Sequence, residues 1–521
     1  MNSFLQRFGS LVKGIISGFD RIVFKGSILP LMYENGAASF LRSRKILHKD
    51  FKPWMTEQTG RLVEDAESYC QKQVDSRILP IISSKLRKEE VAHNRQSELG
   101  ISEGLIGVWA ATESCTSYKA MFSKTQSFPQ IRKSWTKCKH LYFYFDDSDY
   151  GFMNVRLQTW FPYHVQIAMN GREWLYRDLE KHGVGFERHK NKILSLDDYQ
   201  KAQALLNMQL NTQWAEMLNS FLPRVFPGMQ EILGPHLSYY WTLWQSEWAT
   251  DHVFVSEDAL RPIGEALIRQ AFMTGTSDRI LRYFDRPFTK TGVPYANMNS
   301  EVMGRIMGFG DGVCARHWVD HNSVKVYTEK NTLRTETTMN DPRKFKVYRR
   351  AQGESEDTKK RLLPMRKGVA DITVRTQVSQ NINDRMNDTL AQSSDDKPIA
   401  ELIIPFCKSR IKKGRPLRGL EPMGKDRELI IAIADPVLNV SKITNRALRE
   451  MLSGSLGLKG KTLRQQSAKV SRLIRFLRNH GILRKLPKQR KYSLTVKGTK
   501  ITMALCAILQ SSTKELTGIA A

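Results

Sequence analysis

The stretch SRLIRFLRNHGILRKLPKQRKYSLTVKG, residues 471–498, carries a cation at almost every second or third position while its aliphatic residues keep helical spacing. On a helix turning about 100° per residue, Val470, Leu473, Ile474 and Leu477 gather on one side, and Lys469, Arg472, Arg475 and Arg478 fan out over the other. Few folds can use such a segment. Its aliphatic stripe requires a packing partner, and its cationic face requires water or a polyanion. Upstream, TNRALREML reads as a shorter helix with Thr444 as N-cap, followed by the Gly/Ser connection SGSLGLKGKT. Downstream, Gly481 ends the long helix, ILRKL and YSLTV read as two short strands joined by the basic tip PKQRK, and a last helix is expected after Gly498.

Helix, turn, helix and then a hairpin with a charged tip is the order of a winged helix-turn-helix, and LRNHGILRK with YSLTVKG resembles the end of that module in MarR-like regulators. Between Met451 and Lys500 there are fourteen Lys/Arg and no Asp/Glu, whereas a merely solvated helix face mixes signs. Cations in a row suit phosphate, and a helix has the width to enter a major groove. The expected nucleic-acid-binding residues are Lys469, Arg472, Arg475, Arg478, Arg484, Lys485, Lys488, Arg490 and Lys491. Arg472 and Arg475 are placed as base readers, because Arg grips guanine with two hydrogen bonds, and the wing-tip Lys488, Arg490 and Lys491 as backbone contacts. Double-stranded DNA is the first expectation, with RNA and a protein-contact face as alternatives and a homodimer as one arrangement.

The totals agree with an anionic partner. The 521 residues hold 81 Lys+Arg against 52 Asp+Glu, and residues 401–521 alone hold 26 basic and 7 acidic side chains. With 41% hydrophobic residues and ten tryptophans the chain can build real cores, and at roughly 100–200 residues per domain it suggests three or four units. Six scattered cysteines give no disulfide framework and no four-thiolate zinc spacing. No apolar run approaches the roughly 18 residues of a membrane span, and the first residues lack a signal-peptide core, so a cytoplasmic, nucleoid-associated protein is expected.

The expected class is α+β multidomain, with mixed helical and β N-terminal and central regions before the C-terminal winged helix. Four stretches are expected: an N-terminal region over 1–235, a central helical plus β-hairpin region over 236–350, a helical linker and basic connection over 351–423, and the nucleic-acid-binding domain over 424–521. Residues 1–135 read mainly as helices. HLYFYF and FMNVRLQTW read as a hairpin around DDSDYG, GREWLYRDLEKHG as a helix, 196–290 as helical, and Val313–Tyr348 as a second β region. RAQGESEDTKKR reads as a linker, the stretch carrying Val369, Ile372, Val378, Ile382 and Met386 as a long amphipathic helix, and CKSRIKKGRPLRGLEPMGK as a boundary.

Three constellations merit a chemical reading. If Lys330-Asn331 is a two-residue turn, Lys325 lies opposite Glu336 and Tyr327 opposite Arg334, all on one face. This resembles the Tyr-x-Lys and Arg-x-Glu strands of some rolling-circle replication initiators. The resemblance implies a metal-dependent strand-nicking enzyme with Tyr327 as nucleophile, Glu336 as metal ligand or base, and Mg²⁺ or Mn²⁺ as cofactor. Lys330 stands one place too far on, and His317 and His321 enclose WVD instead of forming a His-hydrophobic-His pair, so an ordinary cross-strand Lys–Glu pair with a half-buried Tyr is favoured. In YYWTLWQSEWATD, Trp241, Trp244 and Trp248 with Glu247 and Asp251 fit a heavily aromatic core helix better than a base-stacking, Mg²⁺-binding one. Asp146, Asp147 and Asp149, with His140 and His164 nearby, fit a turn better than a metal site. No phosphate-cradling glycine loop, nucleophile elbow or zinc spacing occurs.

SGFDRIVFKGSI, RLQTWFPYHVQIAMNGREWL, YYWTLWQSEWATD and NSVKVYTEKNTLRTETTMNDPRKFKVYR together resemble a large uncharacterised bacterial protein family, sometimes labelled MarR-like for its C-terminal domain. The resemblance implies no catalytic residues.

Overall fold

A computed structural model describes residues 3–81, 86–122, 128–275, 277–285, 302–309, 312–351, 353–355, 357–391, 399–412, 414–435, 438, 442–454, 458–486 and 489–510. The fold is mixed, 43% helix and 32% strand, in agreement with the α+β class. Its first thirteen strands among the described residues run, in chain order, β1 Val12–Ser27, β2 Leu79–Pro80, β3 Gly104–Met121, β4 Gln130–Asp147, β5 Gly151–Gln158, β6 Val165–Asn170, β7 Phe186–His189, β8 Lys192–Leu196, β9 Tyr240–Phe254, β10 Val302–Phe309, β11 Gly312–Val319, β12 Asn322–Glu329 and β13 Thr332–Met339.

The chain forms two compact units, and neither is continuous in sequence. One, the sheet unit, comprises 16–250 and 338–379; the other, the tail unit, comprises 1–15, 251–337 and 380–521. Strands β1 and β9 and the helix Ile372–Ala391 each begin in one unit and end in the other, so the four sequential stretches expected above are interleaved here.

The sheet unit is built on the strand order β9-β1-β6-β5-β4-β3-β2. Strict alternation decides its two faces. Ile22, Phe24, Leu141, Phe143, Val155, Leu157, Val165 and Ile167 point to one side and join a core with Phe40, Leu41, Met55 and Leu62 from the helices Glu34–Ser43 and Phe51–Val74. The opposite side carries the residues between them. Register places Lys25 beside Gln166, Gln166 beside Arg156, Arg156 beside Tyr142 and Tyr142 beside Trp109 in one cross-strand row.

The β4/β5 hairpin and the helix Gly171–Lys181 lie where the sequence places them. Residues 1–135 differ: besides their helices they contain β1 and β3, of 16 and 18 residues. Glycines interrupt the apolar pattern of β1 because side chains press onto it. A Cβ at Gly18 would come within 2.8 Å of Leu206, and one at Gly26 within 2.8 Å of Trp241. The stretch holding Trp241, Trp244 and Trp248 is also a strand, β9, and not a helix. Trp241 and Leu243 are buried, then Ser246 and Trp248, so the alternation slips by one residue at Trp244-Gln245 and imitates a helical spacing.

In the tail unit β10, β11, β12 and β13 follow in order, and β13 neighbours β9. Phe254 donates its amide to Asn331 at 2.8 Å. The helix Ile372–Ala391 buries Ile372, Ile382 and Met386 of the expected stripe; Val378 is half-buried and Val369 lies before the helix, while Leu390 and a polar set that periodicity does not reveal are buried as well. In the tail unit Asn383 accepts from Thr337 at 2.7 Å and Asn387 from Thr335 at 2.6 Å. In the sheet unit Arg375 donates to Ser246 at 3.0 Å, to the Leu243 carbonyl at 2.6 Å and to the Met339 carbonyl. The basic Pro/Gly tract holds a short hairpin, Arg410–Lys412 with Arg415–Leu417. Beyond it, the helix Arg427–Ala434 opens the C-terminal module, whose core gathers Leu429, Ile433, Leu448, Val470, Ile474, Leu477, Leu494 and Ile501.

Candidate nucleic-acid interface

Local chemistry fixes the C-terminal elements. Thr444 caps the helix Asn445–Met451 by accepting from the Ala447 amide. Thr462 and Gln465 form a reciprocal capping box at the start of the helix Leu463–Asn479. Asn445 ties the two helices together, donating to the Ser467 carbonyl and to Ser471 Oγ, each at 2.9 Å. Gly481, at φ 73, takes the left-handed conformation that lets the chain turn back. Strands Leu483–Lys485 and Tyr492–Leu494 then pair antiparallel, and the last helix starts at Val496, two residues before the expected glycine.

The long helix divides as its periodicity predicts. Val470, Ile474 and Leu477 are buried and Leu473 packs against the same core, while Arg472, Arg475 and Arg478 are exposed and Lys469 is half-buried. Partial burial first, and the nearby Lys461 and Arg472 second, push the Lys469 amine below the usual lysine range. Among the described residues, Arg472, Arg475 and Arg478 stand in no ion pair; Arg478 lies 5.8 Å from the centre of the Tyr492 ring, joining helix to hairpin. Arg484 donates to Ser493 at 3.0 Å, and Lys485, Arg490 and Lys491 are exposed. Lys488 lies outside the described residues. An open recess between the start of the shorter helix Asn445–Met451 and the hairpin is lined by Thr444, Asn445, Arg446, Gln489, Arg490 and Lys491. Here cations from two elements converge, as an approach to phosphate requires.

The other constellations come out differently. Lys325 and Glu336 form a 2.8 Å ion pair, with Glu336 fully buried. Tyr327 is 2% exposed, not half-buried, with the Lys325 ammonium 5.3 Å from its ring centre. A tyrosine nucleophile needs its oxygen open to a strand of DNA, and this one is enclosed. His317 is buried and bonded to the Ala271 carbonyl at 3.0 Å.

Asp251 is gripped by both ends of the Arg334 guanidinium, at 2.6 and 2.8 Å, and both residues are buried. On a strand, positions four apart stand about 13 Å from one another, so the one-turn spacing of Glu247 and Asp251 does not exist. In the β4/β5 turn, Asp147 accepts from the Asp149 and Tyr150 amides, as the turn reading requires. Asp146 takes Arg177 and Asp149 takes Lys181.

Sequence reading missed the bidentate Arg334–Asp251 pair and a polar cavity on the outer face of the sheet unit, lined in part by Tyr142, Arg156, Gln166 and Trp244. The signal for both was the true nature of β9, whose apolar spacing imitates a helix. Comparison with family profiles, with characterised proteins and with solved structures returns no match.

Proposed function

We propose that the chain binds nucleic acid, double-stranded DNA foremost, through its C-terminal module acting as a winged helix-turn-helix, in the manner of a regulator or a mobile-element-type DNA-binding factor. The observation that carries this reading is the clean division of the helix Leu463–Asn479. One edge is buried in the module's core and the other presents Arg472, Arg475 and Arg478 without a neutralising carboxylate among the described residues. Cations at that density repel one another and cost stability unless a polyanion is the partner. In this reading Arg472 and Arg475 approach base edges, while Arg484, Arg490 and Lys491 hold phosphate from the hairpin.

Fluorescence anisotropy with labelled duplex DNA tests it. Wild type should bind saturably. Arg472→Ala with Arg475→Ala should weaken binding by about 2–4 kcal/mol without lowering the thermal midpoint, since both side chains are solvent-facing and their removal relieves repulsion. Equal affinity of the double variant and wild type would refute the assignment.

A further inference from the structure

A second site lies on the outer face of the sheet unit. Its floor is made by short side chains of adjacent strands, Val23, Ala168 and Asn154, which register places side by side. One wall is the start of the helix Lys88–Leu99 and the other is Trp244, which the slip in β9 turns outward together with Gln245. Between them is a cavity of about 470 Å³.

Charge is distributed unevenly around it. On the rim, Arg21 pairs with Glu89 and Arg87 with Glu90. Glu113 receives Lys88 at 2.7 Å, Arg156 at 2.9 Å and the Tyr142 hydroxyl at 2.8 Å, which holds the Arg156 and Tyr142 side chains in place. The Trp244 end differs. Lys25 and Lys367 both stand over the Trp244 ring, 4.9 and 5.1 Å from its centre, and the indole is 43% exposed. Lys25 is in no ion pair among the described residues. Lys367 reaches only to 3.9 Å from Asp341, whose carboxylate Arg343 already grips at 2.9 and 3.0 Å. Partial burial, with Arg156 and Lys367 close by, pushes the Lys25 amine below its ordinary range. A half-buried cation without a carboxylate, Lys25, beside a second whose carboxylate partner is shared with Arg343, is costly to keep, and an anionic ligand removes that cost.

We propose that this face of the sheet unit binds single-stranded nucleic acid, with the exposed part of the Trp244 indole meeting a base and Lys25, Lys367 and Arg156 meeting the phosphates. Aromatic rings interleaved with cations on an open sheet are what unpaired, splayed bases require, and the row Lys25, Gln166, Arg156, Tyr142 supplies hydrogen-bonding groups across four strands. A duplex cannot present its base faces to Trp244, so this site and the C-terminal module read different forms of the polymer. The inference does not depend on the duplex reading.

The experiment measures anisotropy of labelled oligo(dT) and oligo(rU) of about 12 nucleotides with the full chain. Lys25→Ala with Lys367→Ala, and separately Trp244→Ala, should each weaken single-strand binding about tenfold or more. Lys25→Arg should retain most of it, and Ala168→Phe, which fills the cavity and leaves every charge in place, should abolish it. Arg472→Ala with Arg475→Ala should leave single-strand binding within about twofold of wild type while duplex binding falls. Single-strand affinity unchanged by both Lys25→Ala/Lys367→Ala and Ala168→Phe overturns the proposal. So does its loss in the Arg472→Ala/Arg475→Ala protein alone, or complete displacement of the strand by millimolar AMP or inorganic phosphate.

Discussion

The most consequential single residues are those that sequence reading passed over. Arg334 and Asp251 form a fully desolvated, bidentate pair, and removing one partner strands the other's charge in the interior. Arg334→Leu should therefore cost about 3–5 kcal/mol, seen as a lower urea midpoint, and an unchanged midpoint would contradict the pairing. Histidines give a second residue-scale expectation. Burial holds His140, His252 and His317 at about 4, below their ordinary 6.5. Between those values the unfolded chain takes up protons that the folded protein refuses, so stability falls as pH drops from 6.5 towards 4. The slope approaches roughly 1.4 kcal/mol per pH unit for each histidine. Urea midpoints at pH 7 and pH 5 check this, the lower value being expected at pH 5. Tyr327, enclosed beside the Lys325–Glu336 pair, should form no covalent adduct with single-stranded or supercoiled DNA in Mg²⁺ or Mn²⁺, and a wild-type adduct absent from Tyr327→Phe would reverse that conclusion.

Among the elements, the long C-terminal helix was legible because two independent signals coincide in it, an uninterrupted aliphatic period and a Gly just past its end, and the structure adds the Thr462–Gln465 capping box at its start. Thr462→Ala removes the capping box and should cost about 1 kcal/mol without changing single-strand affinity, measurable as a modest fall in the midpoint of the C-terminal module. The strands β1 and β9 were illegible for the opposite reason. Glycines at 18 and 26 make room for Leu206 and Trp241, and the slip at Trp244-Gln245 breaks a period-two pattern into one resembling a helix. A local window cannot tell a strand interrupted by packing from a helix. In the β12/β13 hairpin a two-residue turn does fix the pairing, so the Lys325–Glu336 contact could be read from residue numbers alone.

At the scale of the molecule, charge and class were open to reading from composition, but the interleaving of the units was not. Which of 521 residues share a unit depends on strands and a helix that run through both, and nothing in a linear pattern marks such crossings. The cavity was hidden for the same reason, since its floor joins β1, β5 and β6, brought together only by register. Net charge of +29 with its excess in the last quarter then acquires a spatial meaning: an exposed cationic helix edge and hairpin on an apolar core. The most direct measurement of that claim is the salt dependence of duplex DNA affinity. Wild type should show a steep linear fall of log K with log salt, and Arg490→Ala with Lys491→Ala, which removes two phosphate contacts of the hairpin, should make the slope shallower by about 2, near 0.9 for each phosphate no longer neutralised. A wild-type slope near zero, or the same slope in both proteins, would contradict it.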